Sequence, residues 1–308
     1  MNKYASAYDE LTAILTKEEI LVDEPMKNHT WFEIGGTADI LVIPDSVDKL
    51  IQVIHFVKKN HIPAFLIGNG SNLLVRDGGI RGIVIKTEMI NHMEVRGNKI
   101  IAECGALLSD ISDMAYEMEL TGFEFACGIP GTLGGAVFMN AGAYDGEMSF
   151  VLDSVRVITP ELDVKVLTKD ELELGYRTSA VKKRDYIVLD AVITLIPGVK
   201  EDIRSKIGDL TNRRKERQPL EFPSAGSTFK RPTGYYAGKL IQDAGLKGFQ
   251  IGGAQVSEKH SGFLINRDNA DAEDVLNLIR YIQTTVMEKF QVQLSTEVLI
   301  VGEDKQND

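Results

Sequence analysis

Gly128-Ile129-Pro130-Gly131-Thr132-Leu133-Gly134-Gly135-Ala136-Val137-Phe138-Met139-Asn140-Ala141-Gly142-Ala143-Tyr144 is the stretch on which the reading of this chain turns. Between Gly128 and Gly146 stand six glycines, with a Pro130-Gly131 turn, a Gly134-Gly135 pair and a small-residue run at Asn140-Ala141-Gly142. An ordinary surface loop needs few glycines. A run of this length suits backbone pressed against a flat or phosphorylated ligand, where side chains would collide. The segment reads as a nucleotide-binding loop and as the least regular part of the chain.

A second glycine loop lies upstream, Gly68-Asn69-Gly70-Ser71-Asn72, between the short apolar runs Ala64–Ile67 and Leu73–Val75. Its N–H groups could surround phosphate oxygens. Equally, Asn-Gly between two strands signals a hairpin, and on the dipeptide alone the turn is favoured. The Rossmann fingerprint fails here, because Leu73 takes the place of its third glycine and no helix follows. Gly234-Tyr235-Tyr236-Ala237-Gly238-Lys239 likewise fails as a P-loop: it has one residue too few between its glycines, and Leu240 stands where a hydroxyl should hold magnesium.

Working outward, periodicity predicts a helix from about Tyr4 to Thr16, a strand Ala38–Ile43 stopped by Pro44, and a helix capped by Ser46 with Val47, Leu50, Ile51, Ile54 and Val57 on one face. Strands follow at Ile83–Ile85 and Lys99–Ala102, then a helix through Leu108, Ile111, Met114 and Met118. Further strands fall at Val155–Ile158, Val164–Leu167 and Tyr186–Val192. After Pro197-Gly198 come helices Glu201–Arg217, Ala237–Ala244 and Ala272–Phe290, and a closing strand Thr296–Val301. This order predicts an α+β fold with a boundary near residue 200. Residues 1–200 form a cofactor domain of two lobes, roughly 1–90 and 91–200, and residues 201–308 a smaller C-terminal domain.

Composition narrows the function classes. A chain of 308 residues with 44% hydrophobic content has room for two real cores. A net charge of −11 argues against nucleic acid as a partner. Arg213, Arg214, Lys215 and Arg217 are a local exception, readable as a solvated helix face or as an attractor of a phosphorylated substrate. Asp9 and Glu10 interrupt any signal-peptide core, and no segment approaches the ~20 apolar residues of a membrane span. A cytoplasmic location without a membrane partner is therefore expected. Cys104 and Cys127 lack metal-ligand spacing and read as buried small hydrophobes. His29, His55, His61, His92 and His260 show no paired spacing, and neither a Gly-x-Ser-x-Gly elbow nor a His-Glu-x-x-His helix occurs, so hydrolase and metalloenzyme readings lack support and no metal is expected.

Five motifs then occur in order: Gly68 to Asn72; Gly128-Ile129-Pro130-Gly131 with Met139-Asn140-Ala141-Gly142-Ala143-Tyr144; Tyr176-Arg177-x-Ser179; Gly226-Ser227-x-Phe229-x-x-Pro232; and Glu297-Val298. With this set, from about Thr30 to Glu303, the chain resembles the UDP-N-acetylenolpyruvoylglucosamine reductases. The short stretch between Gly234 and Asn266 is similar to their shorter branch, and Arg231 stands where some members carry Asn. The resemblance implies an FAD-binding domain of the vanillyl-alcohol-oxidase (PCMH) type with a separate C-terminal substrate domain. It also implies FAD as cofactor and NADPH as reductant; a monomer is expected. The implied reaction reduces UDP-N-acetylglucosamine enolpyruvate to UDP-N-acetylmuramate in cell-wall synthesis, with hydride passing from flavin N5 to the enolpyruvyl methylene carbon.

By the same resemblance, Gly68, Asn69, Gly70, Ser71 and Asn72 cradle the FAD pyrophosphate, and Gly128, Ile129, Pro130, Gly131, Gly134, Gly135, Asn140 and Ala141 line the pyrophosphate and ring. Arg177 grips the substrate carboxylate, Ser227 donates the proton, and Glu297 assists the charged intermediate. Tyr176, Lys239, Gln242, Lys259 and His260 contact the substrate. Without the family, Arg177 reads as a surface arginine, Ser227 as a turn serine and Glu297 as an edge-strand charge. Two alternatives remain beside it: an FAD oxidase or dehydrogenase of an alcohol or lactone on the same cofactor fold, and a non-catalytic sugar-nucleotide binder.

Overall fold

The structure is a computed structural model that describes residues 5–305, with side chains from residue 7 onward. The N-terminal helix covers Ala5–Leu11, ending earlier than the periodicity suggests; Tyr4 lies outside the described residues. The helix predicted after Ser46 runs Val47–Lys59, its first turn held by Ser46 Oγ, which accepts from the Lys49 N–H at 3.5 Å. Its buried stripe includes Leu50, Val53, Ile54 and Val57, one face of a 3.6-residue period.

Four strands, Ile20–Pro25, Thr37–Val42, Ile80–Lys86 and Ala64–Ile67, are neighbours in that order in one sheet. A five-stranded antiparallel sheet has the order Val164–Thr168, Leu152–Ile158, Ile187–Thr194, Lys99–Glu103, Met93–Arg96. Along its central strand Leu189, Ala191 and Ile193 are buried while Asp190, Val192 and Thr194 are half-exposed. Ala191 stands opposite Val155 on one side and Ala102 on the other, so these three share the buried face. That face is covered by a helix, Leu133–Met139, which packs on the central strand.

That helix corrects the sequence reading, since Gly128 to Gly146 is not irregular throughout. Gly134 and Gly135 fall in its first turn, where Leu133 donates to Ala106 O at 2.8 Å and Gly134 to Cys104 O at 2.8 Å. Tertiary hydrogen bonds thus supply what the weak helix propensity of glycine does not.

Contacts divide the chain into two compact units interleaved in sequence. One comprises residues through Leu21, Val42–Asn69 and Val84–Arg214; the other comprises Val22–Leu41, Gly70–Ile83 and residues from Lys215 onward. In the second unit a three-stranded sheet, Gln250–Ile251, Ala254–Val256 and Leu264–Asn266, shares a core with helices Ala237–Asp243 and Ala272–Phe290 through Ile241, Val256, Leu264, Val275 and Ile282.

The hairpin reading of Gly68 to Asn72 is overturned. Ala64–Ile67 and Leu73–Val75 belong to different sheets, and Leu73–Val75 pairs in parallel with Leu299–Val301 at the far end of the chain. Leu74 and Val75 are fully buried, so the strand gains more from a core pairing than from a surface hairpin.

Close by in sequence, Asp77 bonds the first turn of helix Ala272–Phe290, Oδ1 accepting from Ala272 N at 2.9 Å and Oδ2 from Glu273 N at 3.1 Å. A carboxylate there satisfies N–H groups the helix cannot satisfy and favours its positive end. An Asp77→Ala variant should lose about 1 kcal/mol of stability, read as a lower urea midpoint at constant m-value. An unchanged midpoint would show the cap to be idle.

Candidate active site

In the first unit, polar groups gather where the two glycine loops meet. Asn69 Nδ2 donates to Pro130 O at 2.9 Å. At Gly68 a Cβ would stand 2.2 Å from Thr132 Oγ1, so only glycine lets the two loops come this close. Thr132 is buried, and its hydroxyl has no hydrogen-bond partner among the described residues. Among the described residues, the backbone N–H groups of Gly68, Asn69, Gly131, Thr132 and Gly135 donate no hydrogen bond within the protein. Orphaned donors beside a buried hydroxyl are costly unless a ligand completes them. The residues present therefore fit the diphosphate of a nucleotide cofactor.

Asn140 carries the loop toward Arg177. It is fully buried in the left-handed region, φ +44°, its Nδ2 donating to Gly175 O at 3.1 Å and its Oδ1 accepting from Ser149 N at 2.9 Å. The side chain is committed to the protein, so a ligand contact at Asn140 would be made by backbone. Gly175 and Thr178 exchange both backbone hydrogen bonds, at 3.1 and 3.2 Å, which leaves Tyr176 and Arg177 as the tip of a tight turn. Arg177 sits there at φ +55°, a left-handed conformation that costs a non-glycine residue about 1 kcal/mol or more. Its Nη2 donates to Gly142 O at 3.3 Å and its guanidinium lies 5.4 Å from the exposed Tyr176 ring. Strain retained at an arginine, where glycine would be easier, marks a position held for its side chain.

In the second unit Ser227 and Glu297 are tied to one scaffold. Ser227 is exposed and forms an isolated antiparallel bridge with Phe263, while Phe229 bridges Thr296. Glu297 N donates to Thr228 O at 2.8 Å, Asn72 Nδ2 donates to Glu297 O at 3.3 Å, and Leu299 N donates to Asn72 O at 3.1 Å. Glu297 therefore lies just ahead of the closing strand, which is Leu299–Val301 and shorter than expected, with its backbone fixed at both ends. Glu297 is half-buried, so it is not the solvated edge charge of the family-free reading. Asn72 uses its side chain on this scaffold, and its N–H has no partner among the described residues.

The expected substrate contacts in this unit are partly grouped. His260 Nδ1 accepts from Gly262 N at 3.1 Å, which puts the ring proton on Nε2, and burial holds the imidazole below its ordinary pKa, so it is neutral at pH 7. A Cβ at Gly238 would meet the His260 ring at 3.6 Å, placing His260 next to the residue before Lys239. Lys239 Nζ is paired with Asp243 at 2.8 Å on an exposed face, Gln242 is exposed one turn on, and Lys259 Nζ donates to Lys215 O at 2.6 Å. Thr132 was not singled out from sequence, although a hydroxyl framed by Gly131 and Gly134 is the signal that could have found it. Among the described residues, no group of three His, Cys, Asp or Glu could hold a metal ion, and no helix is long and apolar enough to cross a membrane.

This fold and loop system define an FAD-binding oxidoreductase. A family model for the FAD binding domain matches residues 38–167, and the model for the UDP-N-acetylenolpyruvoylglucosamine reductase C-terminal domain matches residues 218–301. The chain belongs to the UDP-N-acetylenolpyruvoylglucosamine reductase family. It is 56% identical over 304 residues to the enzyme of that name from Clostridium perfringens, covering 99% of this chain and 100% of the relative, and 55% identical over 303 residues to that of Clostridium beijerinckii, covering 98% and 100%. Among solved structures it is similar to the Thermus caldophilus reductase, with a TM-score of 0.78 and 33% identity over 92% of this chain and 98% of the other.

Proposed function

We propose that the protein reduces UDP-N-acetylglucosamine enolpyruvate to UDP-N-acetylmuramate for peptidoglycan synthesis, with NADPH as reductant and FAD as cofactor. The observation that carries this reading is the buried, unpartnered Thr132 hydroxyl beside Gly68 and a row of undonated N–H groups, in a chain that aligns end to end with reductases of that name. Bound FAD supplies the two-electron relay between the nicotinamide and the enolpyruvyl carbon. The chain's own residues do the rest. The glycine loops orient the cofactor by backbone donors, with Asn69, Asn72 and Asn140 as struts. Arg177 holds the substrate carboxylate in its fork and offsets negative charge that grows next to it. Ser227 delivers a proton to the adjacent carbon, and Glu297, fixed by Thr228 and Asn72, stabilises the charged intermediate. Tyr176, Lys239, Gln242, Lys259 and His260 serve the sugar nucleotide.

The same proposal assigns cofactor binding to residues 1–200 and substrate binding to 201–308, and it includes cytoplasmic operation as a monomer without a nucleic-acid or membrane partner. The net charge of −11 supports the exclusion of nucleic acid. The test is anaerobic. NADPH added to FAD-loaded protein should bleach the flavin band, and the enolpyruvyl sugar nucleotide should then restore it promptly. A flavin that NADPH leaves oxidised, or that stays reduced with this substrate but reoxidises with another acceptor, would refute the assignment.

A further inference from the structure

The chain leaves the Arg177 turn through a short helix, Ala180–Lys183, that ends in two consecutive lysines. They behave differently. Lys183 is exposed and pairs with Glu173 at 3.0 Å, and Arg184 beyond it is bonded to the same carboxylate. Lys182 is half-buried and turns inward. Its Nζ stands 3.5 Å from Arg177 O, to which it donates, 3.4 Å from Met139 Sδ and 5.4 Å from the centre of the Phe138 ring. Phe138 and Met139 are the last two residues of helix Leu133–Met139, at the end that carries partial negative charge. The ammonium thus bridges a helix end, the face of an aromatic ring and the carbonyl of Arg177 itself.

Three ties fasten the turn to this helix end. Asn140 Nδ2 donates to Gly175 O, Ser179 Oγ donates to Phe138 O at 2.9 Å, and Lys182 makes the third. Ser179 is fully buried and also caps the short helix, its Oγ accepting from Lys182 N at 3.2 Å. The first two ties are made by neutral groups. The third brings a charge. A lysine stem laid against protein gives up rotamer freedom, and a methionine would fill the same space with no charge to accommodate. What the lysine adds is a charged donor to the peptide oxygen of the residue assigned to the substrate carboxylate. That residue is held at φ +55°, a conformation its own side chain disfavours.

We propose that Lys182 is a positioning residue for the reduction: through the Arg177 carbonyl it fixes the left-handed turn that aims the guanidinium at the substrate carboxylate. It acts on the sugar nucleotide only through Arg177. This rests on the reading of Arg177 as the carboxylate grip. The effect of Lys182 therefore falls on the half-reaction in which charge grows beside that carboxylate, and leaves the transfer from NADPH to FAD unchanged.

The test compares FAD-loaded wild type, Lys182→Met and Lys182→Arg, and repeats Lys182→Met in an Arg177→Ala background. In Lys182→Met, kcat/KM for the enolpyruvyl sugar nucleotide should fall about 30-fold, the loss of one charge-assisted hydrogen bond, while NADPH bleaches the flavin at the wild-type rate. Lys182→Arg restores charge and donor and should recover about a tenfold share of that loss. In the Arg177→Ala background the same substitution should change kcat/KM by less than about twofold, because no guanidinium remains to be aimed. An undiminished kcat/KM in Lys182→Met overturns the proposal. So does an equal loss in the two backgrounds, which would make the ammonium act independently of Arg177. Slowing of both half-reactions in step with a lowered melting temperature also overturns it, by making Lys182 a packing residue. If Lys182→Met does not fold, Lys182→Gln takes its place in both backgrounds with the same outcomes. Full turnover by Arg177→Ala alone would overturn the carboxylate reading and this inference with it, whereas a crippled Arg177→Ala beside a fully active Lys182→Met overturns this inference only.

Discussion

An Arg177→Gly variant is expected to lose about 100- to 1,000-fold in kcat/KM while folding better than an Arg177→Ala variant. The two halves of that expectation come from one residue. The backbone at 177 is left-handed, φ +55°, at the tip of a turn closed by both Gly175–Thr178 hydrogen bonds. Alanine there keeps the Cβ penalty and glycine removes it, so the glycine variant should be the more stable of the two by about 1 kcal/mol. Both lack the guanidinium, so both should lose the carboxylate grip. Arg177→Lys sharpens the point: it keeps the charge and the strain but not the fork, and should recover only part of the rate. Thermal melts and initial rates on the three variants are sufficient. If the glycine variant turns over normally, Arg177 has no part in the reaction; if it is no more stable than the alanine variant, the turn is not strained.

The parts of this architecture that were legible in the sequence are those decided within a few residues. Ser46 announced its helix by hydroxyl and periodicity, and Ala272–Phe290 was bounded correctly because Asp271 caps it and its apolar period is sustained. The glycine-rich run from Gly128 announced a ligand because composition alone reports how closely a backbone can be approached. What escaped depended on distant partners. The helix Leu133–Met139 needs the carbonyls of Cys104 and Ala106, which no local signal announces. Leu73–Val75 carries a strong hairpin dipeptide beside it and still pairs with Leu299–Val301, because burial of Leu74 and Val75 outweighs a turn preference. The interleaving of the two compact units follows from such pairings, whereas a change in composition suggests a single cut.

A Ser227→Ala variant should fold as the wild type does and lose turnover by about 100- to 10,000-fold, while NADPH still bleaches its flavin band at the wild-type rate. Folding should survive because Ser227 is exposed and the hydrogen bonds that hold its segment are backbone ones, Thr228 N to Gly262 O at 2.9 Å and Glu297 N to Thr228 O at 2.8 Å. An exposed side chain outside any cap or core costs at most about 0.5 kcal/mol on truncation. The dissection of rates follows from chemistry. Serine is a very weak acid, so it can donate only to a strongly basic carbon, and such a carbon exists only after the substrate has been reduced. The step between NADPH and the cofactor involves no such proton. The loss should therefore appear in the second half-reaction alone: the variant, once reduced, should reoxidise slowly when the enolpyruvyl sugar nucleotide is added. The fixed backbone of Glu297 adds a control. Glu297→Gln preserves the Thr228 and Asn72 bonds, which are made by main-chain atoms of residue 297, so its defect should likewise be confined to the second half-reaction. Equal slowing of both half-reactions in Ser227→Ala would mean that the hydroxyl supports the cofactor's surroundings, and normal reoxidation would remove Ser227 from the proton path.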